Sequence, residues 1–378
     1  MSKKYATFIT VLFCGFLLCF VVANALTPDR EFSPLENTNL AQRPTLTLRD
    51  FRWDGDFFSG KFMSDFERYV TDQFVGRDTW IAAKSLAERA SGKEENNGVY
   101  LCDQETLIPR FDRPDQKRVT DNLDYVNKLV EHVDIPVYFS LIPGKVSIWS
   151  DRLPKGAPNA DEGALITQAE ELTQAHWVDV NAALGAHRAE DIYYRLDHHW
   201  TSLGAYYGYQ ALMQAMDLTP VPLTDYEKTT VSDDFNGTTF STSGVRWMSP
   251  DVIDMYVPAD GVEVTSWFGA EPQQGQLYNW SKLELKDKYP FFMGGNQSLA
   301  VLKTQHTDAP KLLIVRDSYA DSLVPFLTPH FSEIHLFDPR YNKTPLSSYL
   351  EENGMDQVLV LYSVANFVSD TNLFVLGR

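Results

Sequence analysis

Cysteine is scarce: of 378 residues only three are cysteine, and two of them, Cys14 and Cys19, sit inside an apolar N-terminal run. Cys102 stands alone downstream, so that part of the chain cannot close an internal disulfide, and a thiolate metal cluster lacks its ligands. Basic charge is also short, with 33 Lys and Arg against 51 Asp and Glu and a net charge of −18. That field repels a phosphate backbone and no local basic stripe offsets it, so nucleic acid is not an expected partner. Histidine numbers only eight. His132, His176, His187, His306, His330 and His335 fall outside recognisable ligand spacings, which leaves a dinuclear metal site short of donors. Internal repeats and low-complexity tracts are missing, and with them the solenoid and array architectures.

What is present is an ordinary globular composition, 44% hydrophobic and 22% charged, with a generous 13% of aromatics. Lys3 and Lys4 precede a nearly uncharged run from Tyr5 to Leu26, about the length that spans a bilayer as a helix. Residues 1–26 therefore read as an uncleaved signal anchor. Cleavage after Ala25, in Ala23-Asn24-Ala25, is the alternative and would give a secreted protein. Either reading puts the remainder outside the cytoplasm. Residues 27–49, with Pro28, Pro34 and Pro44, read as a tether. Residues 50–378 read as one enlarged α/β domain, and Asp50–Ser91 as one or two helices within it.

Strands are expected at Ile135–Ile142, Trp177–Val180, Tyr193–Leu196, Lys311–Val315, Glu333–Phe337 and Gln357–Tyr362. Helices are expected at Asp115–Val133, Asp161–Gln174 and Ser202–Met216, and across Leu323–Phe331 with breaks at Pro325 and Pro329. The alternation argues a parallel sheet covered on both faces. Residues 219–286 show short alternating runs and no clear helix, and read as a β-rich insertion or loops around a site.

Two segments carry chemistry. The first is Arg195-Leu196-Asp197-His198-His199-Trp200, placed before a helix that Thr201 or Ser202 would cap. An Asp two residues from a His can accept an imidazole N–H, fix its tautomer and stabilise the imidazolium. The second is Leu312 to Ala320, an apolar strand running into Arg316-Asp317-Ser318-Tyr319, where a serine at the bend can expose its Oγ with its own N–H facing a developing oxyanion. Nucleophilic serine catalysis needs such a base and carboxylate, in any chain order.

The DHHW string (Asp197–Trp200), ENNGVYL (Glu95–Leu101), SLIPGKVSIW (Ser140–Trp149) and RDSYA (Arg316–Ala320) together resemble the DHHW family. That family looks related to the SGNH-hydrolase-like proteins of alginate O-acetylation. The resemblance covers about residues 30 to 375. It implies a three-layer α/β/α sandwich in which Asp and His precede Ser, a permuted order relative to ordinary SGNH esterases. The relatives' D-x-H-W pattern carries onto Asp197 and His199, and their G-[TD]-S-[YF]-S pattern onto Ser318 with Tyr319 beside it. Arg316 stands where Gly is usual, either crowding the turn or offering a cation to substrate, and Ala320 replaces the last Ser. His198 is a second candidate base. Gly294-Gly295-Asn296 and Asn366 are candidate oxyanion donors, and 235–244 a candidate entrance loop.

The expected activity is serine-dependent O-acetyl transfer to, or acetyl ester hydrolysis on, an exported polysaccharide. No cofactor or resident metal is implied; by analogy with the relatives, a membrane-bound O-acyltransferase would deliver the acyl group. A non-catalytic glycan-binding subunit, and a metal-dependent phosphoesterase built on Asp197, His198 and His199, are the competing readings.

Overall fold

A computed structural model describes residues 2–45 and 61–378, which divide into two compact units. The first runs from the N-terminus to Lys93 and takes in Gly244–Arg246. Its apolar run forms one helix, α1 (Lys3–Leu26), long and apolar enough to cross a membrane, with no buried residue. A two-stranded hairpin, β1 (Phe32–Ser33) and β2 (Thr38–Asn39), follows, then helices α2 (Lys61–Asp72) and α3 (Arg77–Ala90). The expected tether is partly ordered: Gln73 takes the Arg30 N–H at 2.9 Å and donates to Ala41 O at 3.0 Å, while Arg30 pairs with Asp78 at 2.8 Å. Residues 46–49 of the tether, and the start of the helical stretch expected from Asp50, lie outside the described residues.

The second unit opens on a small sheet, β3 (Glu95–Asn96), β4 (Val99–Cys102) and β5 (Thr106–Pro109). Its first turn is Asn97-Gly98 with φ of 50° and 76°, the tight hairpin that needs positive φ at both positions. Next come α4 (Gln116–His132), capped by Asp115, and β6 (Val137–Ile142), buried along its whole length. The short α5 (Lys145–Ile148), α6 (Glu162–Leu172), β7 (His176–Trp177), α7 (Val180–Ala186) and α8 (Ser202–Ala215) complete the first half. Thr201 caps α8, accepting from Gly204 N at 3.2 Å.

Residues 219–286 contribute a two-stranded ribbon, β8 (Thr229–Phe235) with β9 (Asp251–Met255), and two strands, β10 (Glu263–Trp267) and β11 (Pro272–Gln274), that lengthen the main sheet. They also hold a one-turn-and-a-half helix, α9 (Thr238–Ser243), too short to show a period in sequence. The remaining elements are β12 (Leu299–Lys303), β13 (Lys311–Arg316), α10 (Ala320–Leu327), β14 (Glu333–Phe337), α11 (Leu346–Asn353), β15 (Gln357–Ser363) and α12 (Val364–Phe367). α10 runs through Pro325 and ends before Pro329.

The main sheet has the order β11-β10-β12-β14-β13-β15-β6-β7. Its parallel part is β14-β13-β15-β6, made by the apolar runs, with the two-residue β7 at its edge in place of the longer strand expected at Trp177–Val180, because α7 starts at Val180; β12, β10 and β11 are added by antiparallel pairing. Helices α7, α8 and α10 pack together, with α7 on β6; α4 also lies on β6, and α12 on β15. From β13 the chain crosses to β14 and then returns to β15 on the other side, so the carboxyl ends of β13 and β15 flank a crossover point, where open α/β sheets collect ligands.

Tyr193–Leu196 is not the expected strand. The segment loops back on itself through a bridge between Tyr193 and Trp200, with Tyr194 N–H donating to His199 O at 3.2 Å. Its carbonyls are served from several sides and not by one strand ladder: the buried Lys145 Nζ donates to Tyr194 O and Arg195 O, both at 3.1 Å, Leu107 N–H of β5 donates to Arg195 O at 3.0 Å, and Phe240 N–H of α9 donates to Leu196 O at 2.8 Å.

Candidate active site

Ser318 sits in the turn between β13 and α10, partly exposed above two fully buried residues, Arg316 and Asp317. Asp317 holds that turn. Its Oδ1 accepts Tyr319 N–H at 3.0 Å, and its Oδ2 accepts from Ser363 N, Ser363 Oγ and Asn366 Nδ2 at 2.9, 2.6 and 2.8 Å. The carboxylate thereby ties the end of β13 to the end of β15 and brings Asn366 beside the serine turn.

The loop before α8 brings up the other half. His199 Nε2 lies 2.8 Å from Ser318 Oγ, and His199 Nδ1 lies 2.6 Å from Asp197 Oδ1. Both Asp197 and His199 are buried. A carboxylate accepts only, so Nδ1 carries the proton and Nε2 is left to accept from the serine hydroxyl. Tyr289 lies flat on the imidazole, ring centres 3.6 Å apart and planes 6° from parallel, and its hydroxyl donates to Ser318 O at 3.1 Å.

Asp197 Oδ2 is held by α9. It accepts Thr238 N–H at 2.7 Å and Thr238 Oγ1–H at 2.9 Å. The approach requires glycine at 237, where a Cβ would lie 2.2 Å from Asp197 Oδ2. Burial alone would raise the Asp197 carboxyl, but the flanking His198 and His199 and the hydrogen bonds from His199 hold it well below the usual carboxylate range.

His198 points elsewhere. Its Nδ1 is 2.7 Å from Thr238 Oγ1, whose single proton is committed to Asp197, so His198 donates from Nδ1. Burial, and then the adjacent His199, push it down to about 4, so it is neutral near pH 7. Asp197, His198 and His199 offer ligand atoms within 4.8 Å of one another. Asp197 already accepts four hydrogen bonds, two on each oxygen, so an ion there would have to displace them.

The two halves are stapled. Trp200 Nε1 donates to Tyr319 O at 2.9 Å, and Tyr319 Oη donates to His198 O. Trp200 fits because α8 carries Gly208, where a Cβ would meet its ring at 2.8 Å.

Of the residues singled out by sequence, Asp197, His199, Ser318, His198, Tyr319 and Asn366 come together. Arg316 offers no cation to a substrate: it is fully buried below the turn, with Nη1 3.2 Å from Asp321 Oδ1. Its bulk is accommodated beneath the bend and does not crowd Ser318. Gly295, at φ 124°, and the exposed Asn296 shape a turn after Phe292, and among the described residues neither is hydrogen-bonded to Ser318, His199 or Asp197. Tyr289, Asp317 and Lys145 are not distinguished by the sequence, and Thr238 only as part of the candidate entrance loop 235–244.

The DHHW protein family model matches residues 169–337, a stretch that contains Asp197, His199 and Ser318. Among curated proteins nothing matches. Of solved structures, a DHHW family protein from Eubacterium siraeum is similar at 26% identity and a TM-score of 0.65, over 74% of this chain and 95% of that one. Bacillus cereus PatB1 with a sulfonyl adduct is similar at 18% identity and a TM-score of 0.62, over 74% and 98% of the two chains. Another PatB1 structure gives 18% and 0.61, over 72% and 97%. The resemblance to the DHHW family read from the sequence is borne out, and the PatB1 likeness is one of fold.

Proposed function

We propose that this chain, matched by the DHHW family model, is an extracytoplasmic serine-dependent O-acetyltransferase or acetylesterase acting on a polysaccharide. In this reading residues 1–26 anchor it to the membrane, 27–49 tether it, and 50–378 form a three-layer, SGNH-like domain with permuted motif order. The observation that carries the reading is the hydrogen-bonded run from Ser318 Oγ through His199 to Asp197.

Ser318 Oγ attacks the acyl carbon while its proton passes to His199 Nε2. The imidazolium gives that proton to the leaving group, and acyl-Ser318 remains. A sugar hydroxyl, or water in the esterase version, then attacks the acyl carbon as His199 Nε2 takes its proton. Expulsion of Ser318 Oγ, which recovers the proton, completes the cycle. Asp197 stays ionised throughout and fixes the Nδ1–H tautomer. The Ser318 N–H and the second N–H of Asn366 Nδ2 are the proposed oxyanion donors. The acyl donor outside the cytoplasm would be supplied by a membrane-bound O-acyltransferase. The saturated hydrogen bonding of Asp197 favours this reading over a metal phosphoesterase.

The test is p-nitrophenyl acetate turnover by the full chain in detergent, with and without oligosaccharide acceptors. Acetylated oligosaccharide identifies the transferase and free acetate the esterase. Glycan binding without turnover by the wild-type chain, together with polymer acetylation that is not lost on Ser318→Ala, would point to the binding-subunit reading.

A further inference from the structure

Resting on the reading that α1 spans the membrane, we propose that the consecutive helices α2 and α3 lie in the outer bilayer interface and take lipid as their partner. Along α2, Phe62, Met63, Phe66, Tyr69 and Val70 fall on one arc of the helix, while Ser64, Asp65, Arg68 and Asp72 fall on the opposite arc. The apolar arc is not spent on a core. No residue of α2 is buried, and Met63, Phe66 and Val70 are 65%, 40% and 46% exposed. α3 adds Trp80 and Leu86, both more than half exposed. An amphipathic helix of low overall hydrophobicity with such a face is built to lie in a headgroup layer.

Where the turn between α2 and α3 and the start of α3 meet α1 indicates what covers them. The Phe20 ring lies 5.7 Å from that of Phe74, stacked, and 6.1 Å from that of Trp80, and Asn24 Oδ1 accepts Val75 N–H at 2.8 Å. Phe20 is six residues before the end of α1, about 9 Å along its axis at 1.5 Å per residue. With Leu26 at the point of emergence, Phe74 and Trp80 sit at the depth an interfacial helix occupies, roughly 5–10 Å into the headgroup and acyl boundary. Tryptophan is enriched there. The Asn24 side-chain amide is satisfied without water, since its Nδ2 also donates to Phe20 O at 2.8 Å. Charge agrees: residues 61–93 carry six basic and five acidic side chains, so this segment, unlike the chain as a whole with its net charge of −18, is not repelled by an anionic leaflet.

The test places single thiol-linked bimane probes on the full chain in phosphatidylcholine nanodiscs and measures quenching by lipids brominated high or low on the acyl chain. In a background of Cys14→Ala, Cys19→Ala and Cys102→Ala, probes at Phe66→Cys and Val70→Cys report the apolar arc, and probes at Asp65→Cys and Arg68→Cys the polar one. Native Cys14, kept alone in a second background, reports α1. The expected result is quenching by high bromines about threefold stronger at 66 and 70 than at 65 and 68, with Cys14 quenched by low bromines. Equal, weak quenching at all four α2 positions while Cys14 is quenched overturns the proposal and assigns the apolar arc to a protein partner. An unquenched Cys14 overturns the anchor reading itself.

Discussion

At the scale of single residues, the orientation of His199 depends on how Asp197 is held. One oxygen faces His199 and the other is shared by the backbone and hydroxyl of Thr238, so its orientation does not depend on His199 alone. Asp197→Asn reverses the proton pattern at His199 Nδ1 and is expected to lower turnover by about 10⁴ with the fold intact. Thr238→Val keeps the backbone donor and removes the hydroxyl. It is expected to cost about tenfold in kcat at unchanged KM, whereas Thr238→Ser restores the rate, as stopped assays on the full chain would show. His198→Gln is expected to leave turnover within about threefold of wild type, because His198 donates away from Ser318. Thr238 could not be picked out from the sequence. It lies 41 positions from Asp197 in a stretch that reads as a candidate entrance loop, and its role as a holder of the carboxylate exists only because Gly237 lets the backbone approach.

At the scale of elements, legibility followed burial. β6, β13, β14 and β15 are continuous apolar runs covered on both sides, and their positions agree with the sequence reading to within two residues. Tyr193–Leu196 has a similar look, yet its carbonyls are served by the Lys145 ammonium and by the backbone N–H groups of Leu107 and Phe240, partners far along the chain that no local pattern announces. Tyr289 is hidden for a different reason: in the run YPFF it looks like core, and it is core on one side and the floor of His199 on the other. Trp200 carries a prediction at this scale. Gly208→Ala drives a methyl into its ring, and the expected loss is about 1–3 kcal/mol, read as a lower thermal midpoint with reduced turnover.

Glu162, at the start of α6, adds a pH dependence. It is buried with Oε2 accepting Gly144 N–H at 3.0 Å, and burial raises its carboxyl from 4.5 to about 7. The folded chain therefore holds this proton more tightly than the unfolded one. Its contribution to stability is full below about 4.5 and is lost as pH rises to about 7. Urea midpoints measured across that interval are expected to fall in the wild type and to flatten in Glu162→Gln. An unchanged slope in the variant would assign the effect to other groups.

At the scale of the whole molecule, the chain joins a membrane-length apolar helix to an α/β unit whose serine turn lies at the carboxyl ends of β13 and β15. The sequence made the ends of this plan legible, the apolar run and the two motif segments, because each is dense in residues of one physical kind. The mixed edge of the sheet was not legible: β10 and β11 are short and partly exposed, and only their pairing with β12 and each other makes them strands. The central claim is that Ser318 is a nucleophile activated by His199. Its most direct test is mass analysis of the full chain treated with phenylmethylsulfonyl fluoride, followed by peptide mapping. The account predicts one sulfonyl group, on Ser318, with labelling lost in Ser318→Ala and slowed at least about a hundredfold in His199→Ala. A chain that stays unlabelled at Ser318, or labels there equally fast without His199, would contradict it.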